Sequence, residues 1–341
     1  MRHATVWLNK SLSSTFDVVE ILRGAQQGDE LRILCSHTDP DFPAARVADR
    51  FEVEPKGLSE AAYLDYCLDV IRRHRVDVFL PGRNLRAIVR ERPRFEAAGV
   101  RLLAAADAAT LQLLEDKAAL YAALGPNLVA LPDYEVVTDR AGFDAAYERL
   151  RARHPTVCFK PAVSLFGLGF KVVSEDGSPL DRLLRGDNYH IGLDEARRCL
   201  DAAPTFRALL VMQYLPGAER SVDCLAQRGR LVCCVVRRKP TTGDGPQLLE
   251  DNPAVAESVR RLTAHLGLDG LFNVQFRDSA DVPCLLEINP RMSGGLLYAC
   301  LSGVAFPYWA VRLALGTATP ADVPRPRTGL RVSKVNRAIC L

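Results

Sequence analysis

The chain has 341 residues, 48% of them hydrophobic and 25% charged, with a formal net charge of +3 at pH 7. That length allows two or three domains and a sizeable core, the composition is that of a soluble globular protein, and scattered basic residues in near balance with acidic ones exclude nucleic acid as the main partner. Ten cysteines with no CxxC pair and no Cys/His ligand spacing exclude a zinc module and read as small core residues of a reduced protein. The N-terminus "MRHATVWLNK" lacks the apolar core of a signal peptide and no apolar run reaches membrane-span length, so a cytoplasmic location and no membrane partner are expected.

In chain order, residues 4–9 read as a strand, "STFDVVEILRGA" as a helix and "LRILCS" as a second strand. The helical spacing of "YLDYCLDVIRRHR" is followed by the buried strand "VDVFLPG", then by helix "RFEAAG" and strand "VRLLAA". Strands alternating with helices predict a parallel sheet covered on both faces over residues 1–106. The turn after the first strand, "KSLSST", has no GxGxxG, so the topology is Rossmann-like without a dinucleotide fingerprint. "AATLQLLEDKAALYAAL" reads as one strong helix ended by Gly125 and Pro126. Strands "TVCFKPAV", "FKVVS", "ALLVMQYL", "RSVDCLAQ" and "RLVCCVVRR" follow, with "QRGR" as a hairpin turn, then helix "NPAVAESVRRLTAHLG" and strands "LFNVQFRD" and "PCLLEINP". This half reads as α+β and mostly antiparallel. A linker-like "TPADVPRPRTG" and a strand-like tail occupy residues 320–341.

Several segments carry chemistry. Of 44 basic residues only Lys10, Lys56, Lys117, Lys160, Lys171, Lys239 and Lys334 are lysines, so a lysine in an apolar setting points to a need for a compact ammonium. Lys160 leaves a strand into a loop with Ser164, Gly167 and Gly169, which reads either as a phosphate-covering loop or as an ordinary hairpin. "VMQYLPGAERSVD" sets Glu219 after a strand and a Pro216–Gly217 turn, which suits the edge of an adenosine or is simply an exposed turn. In "CLLEINPRMSGG", Glu287 and Asn289 share one strand face, and Pro290 ends pairing just before Arg291. With Asn273 and Gln275 from "LFNVQFRD" they offer oxygen ligands for a magnesium-type site completed by phosphates, or a polar strand end. Arg237, Arg238 and Lys239 close another strand, as contacts to phosphate or acid substrate or as a solvated end.

In this order the segments resemble the ATP-grasp superfamily, most of all the synthetase modules of the carbamoyl-phosphate synthetase large chain, over roughly residues 1–318. The resemblance implies a Rossmann-like pre-ATP-grasp α/β domain at 1–106 followed by the two-lobed ATP-grasp fold. Its central part with the ATP lysines and loop would run 107–205, its C-terminal lobe with the metal site 206–319, and a tail 320–341. "LLEDKAAL" and "FKP" would supply the ATP lysines Lys117 and Lys160, and "SLFGLG" the loop over the phosphates through Ser164, Gly167 and Gly169. "MQYLPGAE" would meet adenine through the backbone of Gln213, Tyr214 and Leu215 and ribose through Glu219. Gln275, Glu287 and Asn289 would hold magnesium, with manganese an expected substitute, and Arg291 would contact the transferred phosphate; apart from the resemblance, the strand end makes Arg238 the expected contact to phosphate or acid. The hinge departs from the family's usual glutamate, with Met212 or Gln213 in its place.

The implied activity is that of an ADP-forming ligase. ATP activates a carboxylate as an acyl phosphate, and an amine from an amino acid or peptide completes an amide. Other chemistry of the superfamily, bicarbonate activation and carboxylation or phosphoryl transfer, is the alternative, and a non-catalytic ATP-sensing module is a third reading. The expected partners are the small-molecule or peptide substrates, with a homodimer as the expected assembly. With a single module, no amidotransferase segment and no biotin-attachment segment in the sequence, synthesis of carbamoyl phosphate itself is not expected.

Overall fold

Apolar runs with β-branched residues build the first sheet: β1 (Ala4–Leu8), β2 (Leu31–His37), β3 (Arg50–Val53), β4 (Val78–Leu80) and β5 (Arg101–Leu102). These coordinates are a computed structural model and describe residues 3–11, 14–28, 30–125, 127–164, 167–240, 245–335 and 338–340. Leu12 and Ser13 of the first turn, Pro126 at the expected helix end, Leu165 and Phe166 of the glycine loop, and Asn336, Arg337 and Leu341 of the tail lie outside the described residues. The sheet is parallel throughout, in the order β3-β2-β1-β4-β5. Alternation along β1 sends Val6 and Leu8 to one face, against helix α1 (Thr15–Ala25), and Trp7 to the other, where α2 (Glu60–His74) packs. Trp7 stacks on Phe79 with ring centroids 4.1 Å apart.

The chain divides into two compact units. One comprises Met1–Gln112, Ala218–Gln275 and Ile288–Leu341; the other comprises Leu113–Gly217 and Phe276–Glu287. Within the second, β6 (Tyr134–Val137), β7 (Val157–Pro161), β8 (Lys171–Val173), β9 (His190–Ile191) and β10 (Leu209–Gln213) form a sheet in the order β6-β10-β7-β8-β9. It is antiparallel except for the β8–β9 pair. Val157, Phe159 and Val211 face a core that includes Phe143 and Leu150.

The third sheet, β15-β14-β11-β12-β13-β16, contains β11 (Glu219–Gln227), β12 (Arg230–Arg238), β13 (Gln247–Glu250), β14 (Gly270–Ser279), β15 (Val282–Asn289) and β16 (Leu330–Val332). The expected "QRGR" hairpin is present. Gln227 pairs with Arg230, and Arg228 and Gly229 have φ of 51° and 74°, the two left-handed positions of a type I′ turn. The strand-like tail is β16, paired antiparallel with β13.

One expectation fails. "AATLQLLEDKAALYAAL" is two helices, not one, because Asp116 interrupts it. Asp116 is extended (φ −107°, ψ 106°), and its carboxylate accepts the N–H groups of Ala118 and Ala119, capping the second helix. Apolar spacing continues across the break, which hides it in the pattern. Two further helices, α3 (Leu85–Arg90) and α4 (Arg92–Ala97), lie between β4 and β5, and the interrupted pair is α5 (Ala108–Glu115) and α6 (Lys117–Leu124).

Candidate nucleotide site

The break at Asp116 decides where Lys117 goes. As the first residue of α6, Lys117 donates its N–H to the Ala162 carbonyl (3.0 Å) and its Nζ to the Ser164 carbonyl (3.1 Å). The same ammonium lies 3.4 Å from a Glu287 carboxylate oxygen, with the lysine side chain 8% exposed. Lys117 thus ties the start of the glycine loop to the end of β15. Lys160, on β7, shares a strand face with Cys158, and its ammonium lies 5.8 Å from the centre of the Tyr121 ring. Desolvation and then the neighbouring Lys117 charge push Lys160 down to about 8, against the opposing pull of Glu287.

Tyr121 is a site residue that sequence reasoning missed. One turn beyond Lys117 on α6, its hydroxyl donates to the carbonyls of Leu285 (3.0 Å) and Leu286 (2.8 Å). It pins β15 directly before Glu287, and burial holds the phenol well above its ordinary range. The i, i+4 spacing from Lys117 was the available signal. In one unit, then, Lys117, Lys160, Glu287 and Tyr121 come together: two cations and one carboxylate in a partly desolvated setting.

The loop after Lys160 depends on one glycine above all. Gly169 has φ of 81°, and a Cβ there would sit 2.8 Å from Pro161 Cδ and Cγ, so the loop can fold back only as glycine. Gly167 also has positive φ (68°) but meets open space. Phe170 closes the turn by donating its N–H to the Gly167 carbonyl.

At the hinge, sheet pairing consumes the first donors. The Gln213 N–H goes to Asp133 and the Tyr214 N–H to Thr156, while the Gln213 side chain bridges Asp133 and Ser279. The Leu215 N–H is the first donor with no partner among the described residues. The Tyr214 ring faces the Arg277 guanidinium at 5.4 Å. Gly217 is pressed on Asp278, where a Cβ would lie 2.6 Å from the aspartate Cβ.

The remaining candidates lie in the other unit. Glu219 opens β11 and is ion-paired with Lys239. The Arg291 Nη2 donates to Asn289 Oδ1 at 3.4 Å, and its Nη1 donates to the Met292 carbonyl. Gln275 and Asn289 are half-buried. Arg237 and Arg238 separate cleanly. Arg238 is exposed at the end of β12, whereas the Arg237 side chain is 2% exposed and ion-paired at 2.7 Å with Asp223. Arg237 also donates to Ser221, Gln247 and Ser293, and Gly295 leaves the space it fills. Asn273 belongs to this interior network through Ser221, Val222 and Asp223, and its Oδ1 is buried with no partner among the described residues.

A third constellation, unannounced by any motif, stands at the carboxyl ends of β1 and β4, where the strand order reverses and α/β sheets ordinarily bind ligands. Glu54, 1% exposed, accepts from Ser36, Tyr63, Arg83 and the Lys10 N–H. Asn9 joins them by donating to Tyr63 and accepting from the Gly82 N–H.

Among the described residues no group of three or more His, Cys, Asp or Glu could hold a metal ion. The expected set of one carboxylate and two amides fits a hard cation only when phosphate oxygens complete the shell.

The family described as "ATP-grasp in the biosynthetic pathway with Ter operon" matches residues 205–338. Among solved structures, N5-carboxyaminoimidazole ribonucleotide synthetase in complex with ADP superposes over 96% of this chain and 79% of its own, with a TM-score of 0.67 at 15% identity. Residues 205–338 thus match an ATP-grasp family, and the solved structures share the fold of nearly the whole chain. An L-amino acid ligase from Bacillus licheniformis is also similar, with a TM-score of 0.65 at 15% identity over 96% of this chain and 78% of that one. Among curated relatives, carnosine synthase 1 of Gallus gallus is 36% identical over 124 residues, 32% of this chain and 13% of that protein. This chain therefore spans a small part of that relative's length. The expected parallel N-terminal sheet and mixed α/β remainder are both present.

Proposed function

We propose that this chain is an ATP-dependent carboxylate–amine ligase that releases ADP. The observation that carries the reading is the cluster of Lys117, Lys160 and Glu287 braced by Tyr121. Two ammonium groups, one of them desolvated, suit the phosphates of a nucleotide, and the glycine loop tied to Lys117 suits a cover over them. The Leu215 N–H is the donor left for adenine, and Glu219 the acceptor for ribose.

In the reaction, a carboxylate oxygen attacks the γ-phosphorus and the bond to the β,γ-bridging oxygen breaks, leaving ADP. The amine nitrogen then attacks the acyl carbon, inorganic phosphate leaves with its electron pair, and the nitrogen loses a proton. The chain's part is positioning and charge neutralisation. Lys160 and Lys117 hold the phosphates, and Arg291 and Arg238 steady the moving phosphoryl group and the acid. Gln275, Glu287 and Asn289 would hold magnesium, which when bound neutralises phosphate charge. Amino acids or peptides are the proposed acid and amine, in keeping with the L-amino acid ligase and carnosine synthase likenesses.

A screen of ADP release across paired amino acids tests this. ADP formed only with a carboxylate present, and a hydroxamate when hydroxylamine replaces the amine, are expected. AMP and pyrophosphate as products would overturn the reading.

A further inference from the structure

The amino-terminal edge of the first sheet holds a feature that the nucleotide reading does not use. A cavity of about 180 Å³ is lined there by Arg32, Arg50, Arg73, His74 and Arg75. Its remaining wall is Thr5 and Leu34. It lies at the opposite strand ends from Asn9, Lys10 and Arg83.

The sheet register explains the convergence. Thr5 of β1 pairs with Arg32 of β2, and Leu34, two residues on and facing the same side, pairs with Arg50 of β3. Helix α2 covers that face and ends with Arg73 and His74. Arg75 caps it in the left-handed conformation (φ 52°). Three segments distant in sequence therefore bring their basic residues to one hollow.

Helix polarity accounts for part of this, since basic residues are favoured in a last turn. It does not account for Arg32 and Arg50, which come from strands. Local carboxylates neutralise only Arg73 and His74. Glu52 is engaged by Arg73 and His74, Asp69 by Arg73, and Asp77 accepts the Thr5 N–H. Arg32, Arg50 and Arg75 have no carboxylate partner among the described residues, and Arg50 Nη1 instead lies 3.4 Å from His74 Nδ1. Like charges held together favour any dianion that binds among them, and guanidinium forks match phosphate geometry.

We infer that this cavity binds a small phosphate dianion, either inorganic phosphate or a phosphomonoester, separately from the nucleotide site. Isothermal titration of the full chain with inorganic phosphate and with glycerol 3-phosphate, at constant ionic strength, tests it. Saturable binding is expected in the wild type and in Lys160→Ala. At least tenfold weaker binding is expected in Arg32→Gln/Arg50→Gln and in Arg75→Asn, which keeps the left-handed cap. Circular dichroism confirms that each variant is folded. Preference for one titrant identifies the source of the phosphate. No saturable binding, equal binding of chloride at matched ionic strength, binding unchanged in both arginine variants, or binding lost only in Lys160→Ala would each overturn the inference. The last outcome would leave the nucleotide reading standing, whereas failure of ATP binding with the arginine site intact would remove that reading alone.

Discussion

Lys160 carries a charge at a cost, because desolvation and Lys117 both oppose its protonation and set it near 8. Nucleotide phosphates would reverse that balance. ATP binding above pH 8 should therefore take up a proton, and affinity should fall as pH rises through 8, by at most about tenfold per unit. Below that the lysine is already protonated and contributes no slope. Calorimetry at pH 7, 8 and 9 checks this, and the slope should vanish in Lys160→Ala, which should also weaken ATP by about 1.5–3 kcal/mol through loss of a charge-assisted contact. A slope that persists in the variant would assign it to another group. Tyr121→Phe removes the donor shared by the Leu285 and Leu286 carbonyls and should cost about 1–3 kcal/mol in urea unfolding. No change in unfolding midpoint would mean that β15 is held by other bonds.

At the scale of elements, the cap at Asp116 breaks a run of good helix formers so that Lys117 meets Ala162, Ser164 and Glu287. Asp116→Ala should cost about 1 kcal/mol of stability. It should also weaken ATP binding, because Lys117 would no longer start a helix against Ala162 and Ser164. Stability lost with ATP affinity unchanged would separate the cap from the site. Gly169→Ala should be harsher than Gly167→Ala. Both impose positive φ on a side chain, but only the first also drives a methyl into Pro161. The two can be compared by thermal unfolding and ATP titration.

The same elements show what could be read from sequence. β1, α1, β2 and β4 were legible because alternation and apolar runs report burial locally, and the Arg228–Gly229 turn because its chemistry is local too. The break at Asp116 was not, since apolar spacing runs through it and only the capping preference of aspartate marked it. Lys117, Lys160 and Glu287 stand out in their motifs, and the structure brings them together in one unit. Tyr121 does not stand out, because its role rests on carbonyls more than 160 residues away. Nor does the Glu54 network, whose members Asn9, Ser36, Tyr63 and Arg83 meet only once the parallel sheet has formed.

Across the whole molecule, the ten cysteines behave as the composition implied. All are free thiols, and Cys199 and Cys340 alone are exposed. Burial raises the half-buried Cys233 and Cys300 to about 12 and Cys234 to about 11, so they too should be poor nucleophiles at neutral pH. A thiol-reagent titration of the native chain at pH 7 should find about two fast groups, the rest reacting on unfolding. A larger fast phase would mean that the core opens readily. Among the described residues no helix is long and apolar enough to cross a membrane. The claim that matters most at this scale is that ATP energy is passed through an acyl phosphate. The direct measurement uses amino acids labelled with oxygen-18 in the carboxylate, with the released phosphate read by mass spectrometry. The account predicts one labelled oxygen in inorganic phosphate for each amide formed, with ADP as the only nucleotide product. Unlabelled phosphate, or AMP in place of ADP, would contradict it.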